Sequence, residues 1–153
     1  MAKLIQFIYS LPIIRSIPGF NTLPPEIENG SLRFYKLSNL VLTLGMFVHA
    51  LWVGIFLYLA ISPLILLNLF SVGIYIFCIV INRKGYHFSA ANIMVVEIIL
   101  HQIIAVLALG INAGFQNYVL VIGLFPFLMP RGRWILKSIL LGLCLCTYIL
   151  LDY

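Results

Sequence analysis

Of the chain's 153 residues, 63% are hydrophobic and only 8% are charged, against about a quarter charged in soluble domains, so there is too little polar surface to cover a water-soluble globule. Its apolar side chains must face lipid, and a single membrane domain is expected. The net charge of +5 does not indicate nucleic acid, because the basic residues stand singly or in pairs between apolar runs and build no basic face.

At the amino terminus, Lys3 precedes an apolar stretch as in a signal peptide. Pro12, Arg15 and Pro18 interrupt that stretch and no small-residue cleavage site follows, so it reads instead as an interfacial helix on the cytoplasmic leaflet with Arg15 at the headgroups. A linker over 18–31 holds the Pro24-Pro25 pair with Glu26 and Glu28, turn-forming and polar residues that belong outside hydrocarbon. Residues 1–31 therefore form an amino-terminal unit ahead of a transmembrane unit, 32–153.

Within that unit the apolar runs predict five spans. The first covers about 37–61 and the second about 64–81, joined at Ser62-Pro63 by a turn short enough to force antiparallel packing. After the turn Asn82-Arg83-Lys84-Gly85 comes a third span, about 88–109. The fourth, about 115–129, is short for a ~30 Å hydrocarbon core and contains Pro126, so it tilts little, breaks, or is shielded by its neighbours. The fifth follows Pro130-Arg131-Gly132-Arg133 and runs to Tyr153. The expected fold is an all-α integral membrane bundle of five transmembrane helices with an amino-terminal interfacial helix.

Basic residues collect in short loops that stay in the cytoplasm. Lys3, Arg15, Arg33 and Lys36 precede the first span, Arg83 and Lys84 lie between the second and third, and Arg131, Arg133 and Lys137 lie between the fourth and fifth. The connections near Ser62 and Asn112 contain none. This predicts a multi-pass protein of the cell's inner (cytoplasmic) membrane with its amino terminus inside, and five crossings leave the carboxyl terminus outside. Cys78, Cys144 and Cys146 all fall in apolar runs, where a thiol acts as a small hydrophobe, so they are assigned neither a disulfide nor a metal.

Ionisable groups at membrane depth are costly and mark candidate sites. His49 lies mid-way along the first span, and Glu97 and His101 mid-way along the third. Glu97 and His101 are four residues apart on one helix face, and at ~1.5 Å per residue all three side chains reach nearly the same depth. Asn68 on the second span and Gln102 beside the Glu97/His101 pair are expected to extend this set toward the outer half, though Gln102 points along another direction. Three readings stay open: a satisfied polar clamp that fixes helix packing, a site that senses ligand or protons, and a metal or haem site, in which two histidines from different helices would ligate a haem iron axially. No metal ligand set and no cofactor are assigned. His87 is placed at the cytoplasmic interface, and Trp52, Tyr58, Tyr86, Tyr118 and Trp134 in aromatic belts near span ends. Gly73, Ala90 and Ala91 are expected to permit close helix contact. There is no phosphate-cradling glycine loop and no nucleophile beside a base, so no catalytic residue is assigned.

From about Leu32 onward the fragments Val48-His49-Ala50-Leu51, Leu67-Asn68-Leu69-Phe70-Ser71-Val72, Asn82-Arg83-Lys84-Gly85, Glu97-Ile98-Ile99-Leu100-His101, Leu109-Gly110 and Ala113-Gly114-Phe115 with Tyr118 occur in an order and spacing that is informative. Together they resemble the multi-helix amino-terminal membrane domain of bacterial class III adenylate/guanylate cyclases, a module similar to that preceding some diguanylate cyclases. The resemblance covers roughly four fifths of the chain. It departs where family members commonly show Trp-Asp and this chain has Ile111-Asn112, and where they often have His and it has Gln116. It implies a receptor-like anchor or sensor in cyclic-nucleotide signalling, a homodimer, and a catalytic domain or partner helix after a sixth span; neither the sixth span nor the cyclase aspartates occur here. Two other function classes remain: a small transporter or channel subunit using the same Glu/His site, and an inert membrane anchor.

Overall fold

The computed structural model describes residues 32–128 and 134–152. The expected interfacial helix and linker, 1–31, and the basic stretch Pro130 to Arg133 lie outside them. The described chain forms five helices: α1 (Leu32–Tyr58), α2 (Ser62–Arg83), α3 (His87–Leu109), α4 (Asn117–Gly123) and α5 (Trp134–Asp152), with 3₁₀ turns at Ile111–Ala113 and Phe125–Leu128. No strand occurs among the described residues. Helices α1, α2, α3 and α5 are each long and apolar enough to cross a membrane.

Helix α1 ends in a Schellman turn: Ile61 N–H bonds to Phe56 O and Ala60 N–H to Leu57 O, with Ala60 at φ 56° in the left-handed position usually given to glycine. Pro63 then opens α2 in its first turn, where its missing N–H has no helical partner to lose. At the other end of α2 the same device recurs. Tyr86 N–H reaches Ile81 O and Gly85 N–H reaches Asn82 O, with Gly85 at φ 87°. Two compact turns thus hold α1, α2 and α3 as an up-down-up unit.

Heptad spacing drives the packing of α1 on α2. Tyr35, Leu42, His49 and Phe56 are buried at seven-residue intervals on α1, and Leu64, Asn68, Ser71, Tyr75, Cys78 and Asn82 are buried at alternating steps of four and three on α2. That 3.5-residue repeat is the seam of left-handed helix packing, and these two helices share the most extensive interface. Helix α3 is the hub. It contacts α1, α2, α4 and α5, and it buries residues on more than one face, among them Ala90, Ala91, Met94, Val95, Ile99 and Ala105.

The fourth apolar segment departs from a continuous span. It forms the seven-residue α4, then a 3₁₀ turn closed by Phe127 N–H to Leu124 O, because Pro126 has no N–H to continue an α-helix. Residues Asn117–Leu128 rise only about 18 Å at helical spacing, short of a ~30 Å core. One face of the segment, with Val119, Gly123, Phe125 and Pro126, packs against the bundle, while Tyr118, Val121, Leu124 and Leu128 stay exposed. Val119 joins Val95, Ile99, Leu140 and Cys144 in one cluster, and Phe125 joins Phe34, Tyr75 and Met94 in another. Gly123 lets α4 approach α5 closely, since a Cβ there would stand 3.0 Å from Cys144 Cβ.

The polarity of the bundle is inverted relative to a soluble protein. Leu51, Phe70, Leu107, Val121 and Leu150 are exposed outside, whereas Asn39, His49, Asn68, Ser71, Asn82, Glu97 and His101 are buried inside.

Candidate functional site

Three helices supply the central polar cluster. His49 comes from α1, Asn68 and Ser71 from α2, and Glu97 and His101 from α3; all five are buried. Their positions follow from the heptad seam of α1 and α2 and from the i, i+4 face of α3. The cluster lies about nine residues, roughly 13 Å, from the α1–α2 turn.

The hydrogen bonds form two chains. Asn68 Nδ2 donates to Leu64 O at 2.8 Å, which orients the amide so that its Oδ1 meets His49 Nδ1 at 2.9 Å. His49 Nδ1–H is therefore the donor and Nε2 holds the free lone pair. In the second chain, His101 Nδ1 is 3.1 Å from Ser71 Oγ, and the Ser71 hydroxyl donates to Glu97 Oε1 at 2.5 Å. Leu67 O, 3.1 Å away, is the alternative acceptor for that single hydroxyl proton. A carboxylate is the stronger acceptor, so the short bond to Glu97 prevails. His101 Nδ1 is also 3.5 Å from Glu97 Oε1.

The two chains meet through the rings. His49 and His101 stand edge to face with centroids 4.6 Å apart, and Tyr75 packs against His49 at 5.1 Å. One ligand-capable atom from each of His49, Glu97 and His101 lies within 4.8 Å of the others. One buried atom stands out: Glu97 Oε2 has no hydrogen-bond partner among the described residues.

All four residues expected to form the site, His49, Asn68, Glu97 and His101, thus share one cluster. Gln102 does not extend it; its side chain is buried and its Oε1 has no partner among the described residues. Ser71 and Tyr75 were missed as site residues. Their signal was the heptad step along α2, three residues from Asn68 to Ser71 and four more to Tyr75, obscured because Ser and Tyr on an apolar helix read as packing residues. Gly45 was missed as well: a Cβ there would lie 2.2 Å from Tyr75 Cε1, so α1 requires glycine to admit the ring. Gly73, expected at a helix contact, meets nothing within 4 Å, while Ala90 and Ala91 are fully packed.

A second polar cluster joins the far ends of the same helices. Asn82 Nδ2 donates to Asn39 Oδ1 at 2.7 Å and to Tyr35 O at 3.4 Å, and His87 Nδ1 meets Asn82 Oδ1 at 2.7 Å. Tyr35 and His87 rings are 5.5 Å apart. His87 does sit beside the 82–85 turn, at the first residue of α3, but it is buried there and locks α3 to α2. Trp52 is likewise packed, stacking on Phe56 and against Phe115.

No family model, curated protein or solved structure matches the chain.

Proposed function

We propose that this protein is a membrane-embedded, receptor-like sensor domain whose responsive element is the His49–Asn68–Ser71–Glu97–His101 cluster, resembling the membrane module of bacterial nucleotidyl cyclases. The observation that carries this reading is a connected polar network, drawn from three helices, inside a bundle whose outside is apolar. Each partner of such a network has protonation and hydrogen bonding that depend on its neighbours, so a change at one residue is felt by all three helices. The module crosses the inner membrane five times, the fourth time through the broken α4 segment, with the amino terminus in the cytoplasm. It works as a homodimer and regulates cyclic-nucleotide synthesis through a cyclase domain or a partner helix.

The test uses spin labels at Leu57 on α1 and Leu107 on α3, both exposed. Their separation in lipid nanodiscs should change between pH 5 and 8 in the wild type and stay fixed in Glu97→Gln. A wild-type distance unchanged over that range would reduce the cluster to a packing clamp. The break at Pro126 favours a second reading, a small transporter or channel subunit, because interrupted helices line many transport sites. Proton flux into liposomes that disappears in Glu97→Gln would support it over the sensor.

A further inference from the structure

We propose that His49, Glu97 and His101 form a binding site for a divalent transition-metal ion of the zinc class, which is the stimulus the cluster reads. This rests on the sensor reading of the same residues and adds the ligand.

The donor set is two imidazoles and one carboxylate, the combination that suits zinc and its neighbours in the first transition row. Magnesium and calcium demand six or more oxygens, which this cluster does not offer. A haem does not fit either. Axial imidazoles of one iron hold their centroids roughly 6 Å apart on opposite sides of a porphyrin, by bond lengths of about 2.0 Å to each nitrogen. Here the centroids are 4.6 Å apart and edge to face, with no gap for a macrocycle.

Geometry suits a small ion. Tetrahedral zinc with bonds of about 2.0–2.1 Å holds its ligand atoms ~3.4 Å apart. One ligand atom from each residue lies within 4.8 Å of the others, and Glu97 Oε1 is 3.5 Å from His101 Nδ1; on ligation that nitrogen gives up the proton it offers Ser71 Oγ, or yields to Nε2. The outer partners are also in place. Asn68 accepts from His49 Nδ1–H and is itself held by Leu64 O, the arrangement that fixes a metal-binding imidazole and raises the basicity of its other nitrogen. Glu97 Oε2 supplies a second, independent indication. It is an acceptor on a side chain only 7% exposed and makes no hydrogen bond of good geometry among the described residues, although the Tyr75 hydroxyl approaches the same carboxylate. A cation would satisfy it.

The experiment uses the full chain in nanodiscs, with its affinity tag removed, stripped of metal, in a Cys146→Ser background that removes the one exposed thiol among the described residues. Cobalt(II) is titrated as the probe and followed by its visible d–d absorption. One equivalent per chain should bind with the intensity of a tetrahedral site and be displaced by zinc. His49→Gln, Glu97→Gln and His101→Gln should each weaken binding at least tenfold, and Asn68→Leu by about 10–100-fold through loss of the orienting bond. His87→Gln, which alters the other buried histidine, should bind as the wild type does. Reactivity of buried Cys78 with a thiol dye reports whether each variant is folded. Where a variant unfolds, histidine NMR of the wild type decides: zinc should shift His49 and His101 and leave His87 in place. Absence of a stoichiometric band in the folded wild type, or a band unchanged in Glu97→Gln, overturns the metal site. A pH-driven change in label distance without cobalt binding would refute the metal proposal and keep the sensor. Cobalt binding with no movement under either stimulus would refute the sensor and leave a structural metal site.

Discussion

Replacing Gly45 by alanine probes how tightly the cluster is built into its helices. The added Cβ would fall 2.2 Å from Tyr75 Cε1 and 2.9 Å from Cδ1 and Cζ, where ordinary contacts are 3.4–4 Å. The ring must therefore retreat by more than 1 Å from a site where it is only 2% exposed and packs on His49. Overpacking of this kind costs about 1–3 kcal/mol. Alanine also gains up to ~1 kcal/mol over glycine from helix propensity, which masks part of the clash. Gly54 on the same helix has nothing within 4 Å, so Gly54→Ala receives the propensity gain alone. The difference between the two variants isolates the clash, and Gly45→Ala should be the less stable by about 1–3 kcal/mol. Unfolding in mixed micelles, followed by dye labelling of Cys78 in the Cys146→Ser background, measures it. Adding Tyr75→Ala should rescue Gly45→Ala, giving a coupling energy of about 1 kcal/mol or more. Equal stabilities for Gly45→Ala and Gly54→Ala would show that the ring does not occupy this place.

Glu97→Ala should cost about 1–3 kcal/mol by removing the charged acceptor of the Ser71 hydroxyl, which then falls back on Leu67 O, and the carboxylate beside His101, and more than Leu100→Ala, whose side chain is 57% exposed; the opposite order in the same unfolding assay would mean the network contributes nothing. Asn82→Leu breaks the bonds to Asn39, Tyr35 O and His87 and should destabilise by roughly 2 kcal/mol, at the ~0.6 kcal/mol average reported for interhelical bonds in a membrane protein. Ala60→Gly removes the penalty of a left-handed alanine and should raise stability by up to ~1 kcal/mol, seen as a shift of the same transition. A cysteine added after Tyr153 should react with an impermeant reagent from outside the cell; reaction only from the cytoplasm would show that one of the five crossings is missing.

Composition together with the length of the unbroken apolar runs determined that these residues form long apolar helices, because in an apolar solvent a run of about 20 residues satisfies its backbone within itself, whereas a barrel needs shorter, alternating segments. Local chemistry determined the turns: Ser62-Pro63 opens a helix, and Gly85 accepts a left-handed conformation that closes one. Helical periodicity determined that Glu97 and His101 share a face, and the rise per residue placed His49 at matching depth. What lay beyond sequence reasoning depended on contacts between helices. Ser71 becomes part of the site only because the α1–α2 seam rotates it toward α3, Gly45 is indispensable only because Tyr75 arrives from a neighbouring helix, and His87 is buried because Asn82 is there to receive its N–H. A residue's depth and face follow from its own helix, but its partner is chosen by the register between helices, which packing of the whole bundle decides.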